Sequence, residues 1–146
     1  MVETYIGIDP GKKGGIAAIT VKDGVTTGYH IEVMPEVFKD AYYSIGALVP
    51  EGHVKLLIEQ VQYRPNQRGV INMLTNYGRL LAYIEILEIP YEIISAQKWK
   101  KHYKLGKDKI DSINLANSMF STEFKKTQDG LAEALLIANY AKEKQK

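Results

Sequence analysis

The sequence predicts an α/β fold in which a five-stranded mixed sheet carries helices on both faces. Three strand-like segments come first, and an Asp-Gly pair typical of hairpins separates the second from the third. Helical and strand-like segments then alternate, as in sheets that helices cover. The length of 146 residues suits a single domain, 1–146, with its own core.

The strands are indicated by short apolar runs with turn residues between them. The residues Pro10–Gly15 form a turn by composition, and Lys22-Asp23-Gly24 predicts a tight hairpin. The third strand should therefore run antiparallel to the second. The predicted strands are Tyr5–Asp9, Ile16–Val21, Thr26–Met34, Val54–Glu59 and Tyr91–Ile94.

The helices are indicated by apolar residues that recur at intervals of three and four. The clearest stripe contains Val70, Leu74, Tyr77, Leu81 and Ile84, and Met73 and Leu80 widen it. The predicted helices are Glu36–Val49, ended by Pro50 and Glu51; Val70–Glu88; Ala96–Tyr103; a helix capped by Asp108 that runs to about Phe120; and Asp129 to about Lys142.

Two acids, Asp9 and Glu59, each end an apolar strand. The order of elements is the ribonuclease-H-like order, in which the first and fourth strands are parallel neighbours. Their axes would lie about 4.8 Å apart, so both carboxylates would emerge at one sheet edge. Because acids are depleted in strands and costly to bury alone, we expect these two to share a site.

Two more acids, Asp129 and Glu133, lie four residues apart and share a helix face. Taken singly, a helix cap explains Asp129 and a solvated face explains Glu133. Glu133, however, lies among residues that look packed, where an acid invites a partner. Four converging carboxylates would suit Mg²⁺, with Mn²⁺ as a substitute. Two ions about 3.5–4 Å apart can activate water and stabilise the leaving oxygen of a phosphodiester.

The net charge of +2 is unevenly distributed along the chain. Residues 1–60 carry five lysines and eight acids, whereas residues 61–146 carry fourteen Lys or Arg and nine acids. A basic block with embedded aromatic residues lies between residues 98 and 109, and it either binds a phosphate backbone or is a solvated surface. Its lysines are Lys98, Lys100, Lys101, Lys104, Lys107 and Lys109.

Several kinds of site are excluded. There are no cysteines, which excludes disulfides and thiolate metal sites, and the three histidines lack ligand spacing. The Gly11–Gly15 segment is no nucleotide-binding P-loop; it either presents N–H groups to a phosphate or is a tight turn. No run approaches the roughly 18 apolar residues of a membrane span, and Met1–Thr4 lacks a signal-peptide layout. We expect a cytoplasmic protein without a membrane partner or nucleotide cofactor.

Three acidic motifs resemble those of RuvC-type Holliday-junction resolvases, most closely the short, phage-type branch. The motifs are Gly7–Gly11, Ile58–Gln62 and Asp129–Leu135. The stretches Asn76–Arg79, Ile89–Glu92 and Gln97–Lys101 are also similar to that branch. One departure stands out. Cellular members usually end with two aspartates three residues apart. Here Glu133 stands at the second of these positions and Gly130 at the first, and Asp129 lies one residue before Gly130.

The resemblance implies a homodimer that binds a four-way DNA junction and nicks two strands symmetrically, in the host cytoplasm if the protein is phage-encoded. It implies that Asp9 bridges two metal ions, that Glu59 is the second ligand, and that Asp129 and Glu133 complete the site. Lysines near the scissile phosphate would be Lys100 and Lys109.

The resemblance also places residues 60–69 in a loop that reaches into the junction. There Tyr63 either stacks on an unpaired base or is an ordinary exposed tyrosine. The dimer would use Val70–Glu88, with simple burial of that stripe as the alternative. The remaining residues assigned to DNA are Arg64, Arg68 and Arg79.

Three other functions compete with this interpretation. A YqgF-like nuclease that processes RNA shares the opening Asp strand and the length. A sugar- or actin-type ATPase would need two domains of this fold. A non-catalytic branched-DNA-binding module would keep the fold without the chemistry, although all four acids are present.

Overall fold

The computed structural model describes residues 1–49 and 52–144, which form five strands and five helices. The break expected at Pro50 and Glu51 lies outside these residues. In chain order the elements are β1 (Val2–Asp9), β2 (Gly15–Lys22), β3 (Val25–Val33), α1 (Asp40–Ala47), β4 (His53–Glu59), α2 (Val70–Ile86), β5 (Tyr91–Ile94), α3 (Ala96–His102), α4 (Lys109–Phe120) and α5 (Asp129–Glu143).

The strands form one mixed sheet in the order β3-β2-β1-β4-β5. The first three strands pair antiparallel, as the Asp-Gly signal predicts, and the turn residues Asp23 and Gly24 have φ angles of 50° and 82°. β1 pairs parallel with β4, and β4 pairs parallel with β5. The predicted five-stranded mixed sheet, with the first and fourth strands as neighbours, is therefore confirmed.

Helices cover both faces of the sheet, because alternate residues of each central strand point to opposite sides. On one face, Ile6 and Ile8 of β1 share a buried cluster with residues of α1 and α2. On the other face, Tyr5 shares a second cluster with residues of α3, α4 and α5. Among the described residues, no helix is long and apolar enough to cross a membrane.

The last helix, α5, is buried on all sides from residue 130 to residue 141, rather than along the single face that its sequence periodicity suggests. Its backbone lies directly on β1, and a Cβ atom at Gly7 would overlap the carbonyl oxygen of Ala134 and the backbone nitrogen of Ala138. Only a glycine allows this close approach. It brings the first turns of α5 to the carboxyl end of β1.

Several predicted helix boundaries are wrong, including the ends of α1, at Ala47 rather than Val49, and of α3, at His102 rather than Tyr103. α1 begins at Asp40 rather than Glu36, because the N–H groups of Asp40 and Ala41 bond to carbonyls three residues back, in tight turns. α2 ends at Ile86 rather than Glu88, because Glu88 has a φ of 56° that leaves the helical conformation. The predicted cap of α4 is confirmed, since the Asp108 side chain accepts a hydrogen bond from the Ile110 N–H at 3.1 Å.

Candidate active site

The carboxyl ends of β1 and β4 bring Asp9 and Glu59 together. The parallel register pairs Ile8 with Ile58, so each acid is the next residue after that pair. Both side chains are partly buried. The prediction that these acids share one sheet edge is therefore confirmed by the geometry.

α5 adds Asp129 and Glu133 to the same edge. Burial raises the pKa of Asp9, and the charges of Glu59, Glu133 and Asp129 raise it further. The start of α5 is pressed against the turn after β1, because a Cβ atom at Gly130 would overlap the Lys13 carbonyl oxygen and lie 2.8 Å from the Gly14 Cα. An aspartate therefore does not fit at position 130. This contact explains why the acid of this turn is Asp129.

Glu133 is buried, at 7% exposure, but it has two partners. Its Oε2 atom accepts a hydrogen bond from the Ser112 hydroxyl at 3.1 Å and lies 3.4 Å from Nζ of Lys100. The sequence interpretation did not identify Ser112, a polar residue on the buried face of α4. A solvated position for Glu133 is therefore wrong, and the expectation of a partner is confirmed.

Asp129 is the first residue of α5, and its Oδ2 atom lies 3.4 Å from Nζ of Lys109. The lysine side chain is 74% exposed, so water screens this pair strongly. The two lysines predicted to lie near a scissile phosphate, Lys100 and Lys109, thus both contact acids of the candidate site. Each is paired with a different acid of α5.

Asp9 has a strongly raised pKa. Burial, followed by the charges of Glu59 and Glu133, raises the pKa of Asp9 to about 7. The Gly11 N–H donates a hydrogen bond to Oδ1 of Asp9 at 3.2 Å, and this bond lowers the pKa. Within the described residues, no lysine, arginine or histidine nitrogen lies within 4.0 Å of the Asp9 carboxylate. Asp9 is therefore a partly buried acid without a compensating cation in the part of the chain that the structure describes.

Glu59 is held by Trp99, whose indole Nε1–H donates a hydrogen bond to Oε2 of Glu59 at 2.7 Å. Burial raises the pKa of Glu59, while the bond from Trp99 and the charge of Lys100 lower it. Trp99, one of the aromatic residues embedded in the basic block, is fully buried and therefore cannot belong to an exposed phosphate-binding surface. A buried indole N–H needs an acceptor, and that requirement was the available sequence signal.

The donor set fits a hard divalent cation, since all four candidate ligands are carboxylates. A cation between Asp9 and Glu59 would offset the burial that chiefly raises the pKa of both acids, and the repulsion from Glu133 that adds to it. Across residues 1–49 and 52–144, no three acidic or histidine side chains yet stand close enough to hold a metal ion together. Lys100 and Lys109 each engage an acid of α5, so a metal ion would compete with them for Glu133 and Asp129.

The glycine-rich segment after β1 is a tight turn, the second of the two predicted alternatives. The Gly14 N–H bonds to the Gly11 carbonyl at 2.8 Å, and the Gly11 N–H bonds to Asp9. Both N–H groups are therefore engaged within the turn. Its structural role is to seat α5 and to orient the Asp9 carboxylate.

The basic block divides between two places. Lys100 faces the acids, whereas Lys98 lines a separate cavity of about 230 Å³ together with Lys55, Lys144 and Tyr140 near the end of α5. Glu133 and Tyr140 are seven residues apart along α5, or roughly 10 Å. The lysines left on the exposed surface that follows α3 are Lys101, Lys104 and Lys107.

The predicted loop 60–69 projects from the carboxyl end of β4, directly after Glu59. Tyr63 is 64% exposed, and Arg64 and Arg68 are exposed beside it. Arg79 is exposed on α2. These positions are open to solvent, and their contact with DNA remains a prediction.

No protein-family model matches this sequence, and no curated protein matches it in a sequence search. Among solved structures, RuvC from Thermus thermophilus is similar with a TM-score of 0.51 and 19% identity, covering 99% of this chain and 97% of that protein. RuvC from T. thermophilus in complex with a Holliday-junction substrate gives a TM-score of 0.54 and 19% identity, covering 98% of this chain and 96% of that protein. The chain therefore has the ribonuclease-H-like fold of RuvC over nearly its whole length.

Proposed function

We propose that this protein is a divalent-metal-dependent endonuclease that resolves four-way DNA junctions by paired nicks. The observation that carries the proposal is that Asp9 and Glu59 end neighbouring parallel strands, while Asp129 and Glu133 lie on the first turns of α5, which packs against the turn after β1. Lys100 and Lys109 compensate Glu133 and Asp129, whereas no lysine, arginine or histidine among the described residues pairs with Asp9. This electrostatic arrangement is the one expected of a cation site.

Asp9 and Glu59 would hold the metal from the sheet, and Asp129 and Glu133 from α5. Bound Mg²⁺ or Mn²⁺, with two ions expected per site, would lower the pKa of an attacking water and stabilise the leaving oxygen. Lys100 and Lys109 lie at the rim of the acids, where an ammonium group can contact a phosphate. The products would be 5′-phosphate and 3′-hydroxyl ends.

A four-way junction is the proposed substrate because the fold is shared with a RuvC solved on a Holliday-junction substrate. The exposed loop 60–69 follows Glu59 directly, so Tyr63 is available to stack on an unpaired base beside the acids. Arg64, Arg68 and the exposed lysines of the basic block would contact phosphates.

A homodimer is proposed because α2 exposes part of its apolar surface. Ile71 is 77% exposed, Ile86 66% and Leu74 39%, whereas only Leu80 and Ile84 of this helix are buried. A second copy would cover this surface and present two active sites to two strands. Sedimentation of the wild-type protein and of Ile71→Asp tests this part: a dimer that Ile71→Asp converts to monomer is expected, and a monomeric wild type contradicts it.

The test is cleavage of an end-labelled synthetic four-way junction, run with Mg²⁺, with EDTA, and beside a linear duplex of the same sequence. Paired, metal-dependent nicks near the crossover and an intact duplex are expected. Asp9→Asn should abolish cleavage and still bind the junction. Equal cleavage of every DNA would refute junction selectivity, cleavage of structured RNA alone would favour the RNA-processing alternative, and binding without any cleavage would favour the non-catalytic module.

A further inference from the structure

Trp99 is the only tryptophan of the chain and is completely buried. Its indole N–H bonds to Glu59, forty positions away in the sequence, at 2.7 Å. A tryptophan that only fills a core could satisfy this N–H with a backbone carbonyl. Here the acceptor is a carboxylate of the candidate active site. Hydrogen bonds to ionised acceptors are about twice as strong as neutral ones.

The backbone holds both partners of this bond in place. Glu59 ends β4 opposite Ile94, the last residue of β5, and the Gln60 N–H bonds to the Ile94 carbonyl at 2.8 Å. α3 begins two residues after Ile94, and the side chain of Ser95 caps it by accepting from the Lys98 N–H at 3.2 Å. The indole is thus tied to the strand beside Glu59 through a short, capped connection.

The surroundings of the indole restrict its movement. Trp99 belongs to the core cluster beneath α5, and its ring packs edge-on against that of Tyr103, with centroids 6.5 Å apart. A glutamate side chain has three rotatable bonds, so an unsupported carboxylate samples several orientations. The bond to Oε2 fixes one oxygen and leaves Oε1 free for another ligand.

We propose that Trp99 is a positioning residue, which holds the Glu59 carboxylate in the orientation that receives the divalent cation. This inference rests on the proposed function, since it assigns Glu59 to the metal. Groups that hydrogen-bond to a metal ligand and so orient it contribute roughly 10- to 100-fold to metal affinity or activity. If Trp99 instead only fills the core, loss of its N–H at constant ring shape will affect stability and leave metal affinity unchanged.

The bond can be tested without metal or substrate, because a single tryptophan gives a single indole N–H resonance in a ¹⁵N-labelled protein. This resonance should lie downfield, as expected for a donor to a carboxylate. Glu59→Gln, which weakens the acceptor and keeps its shape, should move it upfield. An identical indole resonance in the wild type and in Glu59→Gln would overturn the proposed bond.

The consequence for metal binding needs a probe that removes the N–H and keeps the ring. Biosynthetic replacement of the one tryptophan by benzothienylalanine, in which sulfur replaces the N–H, does this without a cavity. Trp99→Phe is a second variant, used if it folds. The control is Tyr103→Phe, which removes a hydroxyl from the same aromatic cluster; that hydroxyl contacts Leu136 and Asn139 and none of the four acids.

Calorimetric titration with Mn²⁺ alone, followed by junction cleavage at saturating Mn²⁺, completes the test. The benzothienylalanine protein should bind Mn²⁺ about 10- to 100-fold more weakly than the wild type, and Tyr103→Phe should bind it normally. Equal Mn²⁺ affinity in all three proteins would overturn the positioning role and leave the nuclease proposal intact. A wild type that binds no Mn²⁺ and cuts no junction would overturn both.

Discussion

The Nζ atom of Lys100 lies 3.4 Å from Oε2 of Glu133, so a lysine neutralises an acid of the candidate metal site. The lysine side chain is 24% exposed and the glutamate side chain 9%, so water screens the pair less than a surface ion pair. Lys100 therefore has two opposing effects. It competes with a metal for Glu133, and it supplies a positive charge beside the phosphate that would be cut.

The opposing effects of Lys100 can be separated with Lys100→Met. Metal affinity should rise at least about fivefold, since even a surface ion pair contributes up to roughly 1 kcal/mol and the pair of Lys100 with Glu133 is screened less. Cleavage at saturating metal should nevertheless fall by about 10²- to 10³-fold, the usual cost of losing a charge at a reacting centre. Titration with Mn²⁺ and single-turnover cleavage measure the two effects. The control is Lys22→Met, at the opposite end of the sheet. If Lys100→Met cuts as fast as this control, Lys100 does not assist cleavage.

The raised pKa of Asp9 predicts how stability depends on pH. Between pH 4 and pH 7, the folded, metal-free protein keeps a proton on Asp9 that the unfolded chain has lost, so its free energy of unfolding falls as pH rises through this window. The loss is complete above pH 7. Asp9→Asn should therefore be on the order of 1–3 kcal/mol more stable than the wild type at pH 8, and the difference should shrink towards pH 4.

Urea denaturation in EDTA at several pH values measures this difference. Saturating Mg²⁺ should stabilise the wild type at pH 8 more than it stabilises Asp9→Asn, because the cation compensates the carboxylate. A stability difference between the two proteins that does not change with pH would show that Asp9 titrates normally and is not strained by burial.

The contact between Gly130 and the turn after β1 predicts a steric requirement for glycine. Gly130→Ala should destabilise the protein by about 1–3 kcal/mol, because its Cβ meets backbone atoms that cannot move away freely. Gly78→Ala is the matched control, since nothing lies within 4 Å of a Cβ there. It should stabilise α2 by up to about 1 kcal/mol. Chemical denaturation of both variants tests the contact, and equal effects would contradict it.

The exposed lysines that follow α3 predict the salt dependence of DNA binding. The double variant Lys104→Ala, Lys107→Ala should reduce the slope of log affinity against log salt by about 1–2, because each lysine that contacts a phosphate contributes about one. Fluorescence anisotropy with a labelled junction at several salt concentrations gives the slope. Lys22→Ala should leave it unchanged. If the double variant keeps the wild-type slope, Lys104 and Lys107 do not contact DNA phosphates.

Features that depend on local sequence patterns and on the order of elements could be predicted from the sequence. The strand ends at Asp9 and Glu59 follow from apolar runs that stop at an acid, and the parallel pairing follows from the order of elements. Contacts between distant segments could not be predicted. The bond from Trp99 to Glu59 depends on how α3 is placed after β5, which no local pattern around Trp99 indicates.

The role of Gly130 was likewise hidden from sequence analysis. The family resemblance leads one to expect an aspartate at position 130. Glycine stands there because a Cβ atom would overlap the backbone of the turn at Lys13 and Gly14. Ser112 was missed because a single serine in a helix carries no signal until its partner, Glu133, is located in space. Spatial neighbours of this kind become visible only in the folded chain.

The central claim is that Asp9 and Glu59, with the acids of α5, form a divalent-metal site. The most direct measurement is anomalous X-ray diffraction from crystals of the wild-type protein and of Asp9→Asn soaked in Mn²⁺. We predict an anomalous peak between the carboxylates of Asp9 and Glu59 in the wild type, with the peak lost or strongly reduced in Asp9→Asn. A peak elsewhere, or none at this sheet edge in well-ordered wild-type crystals, would contradict the account.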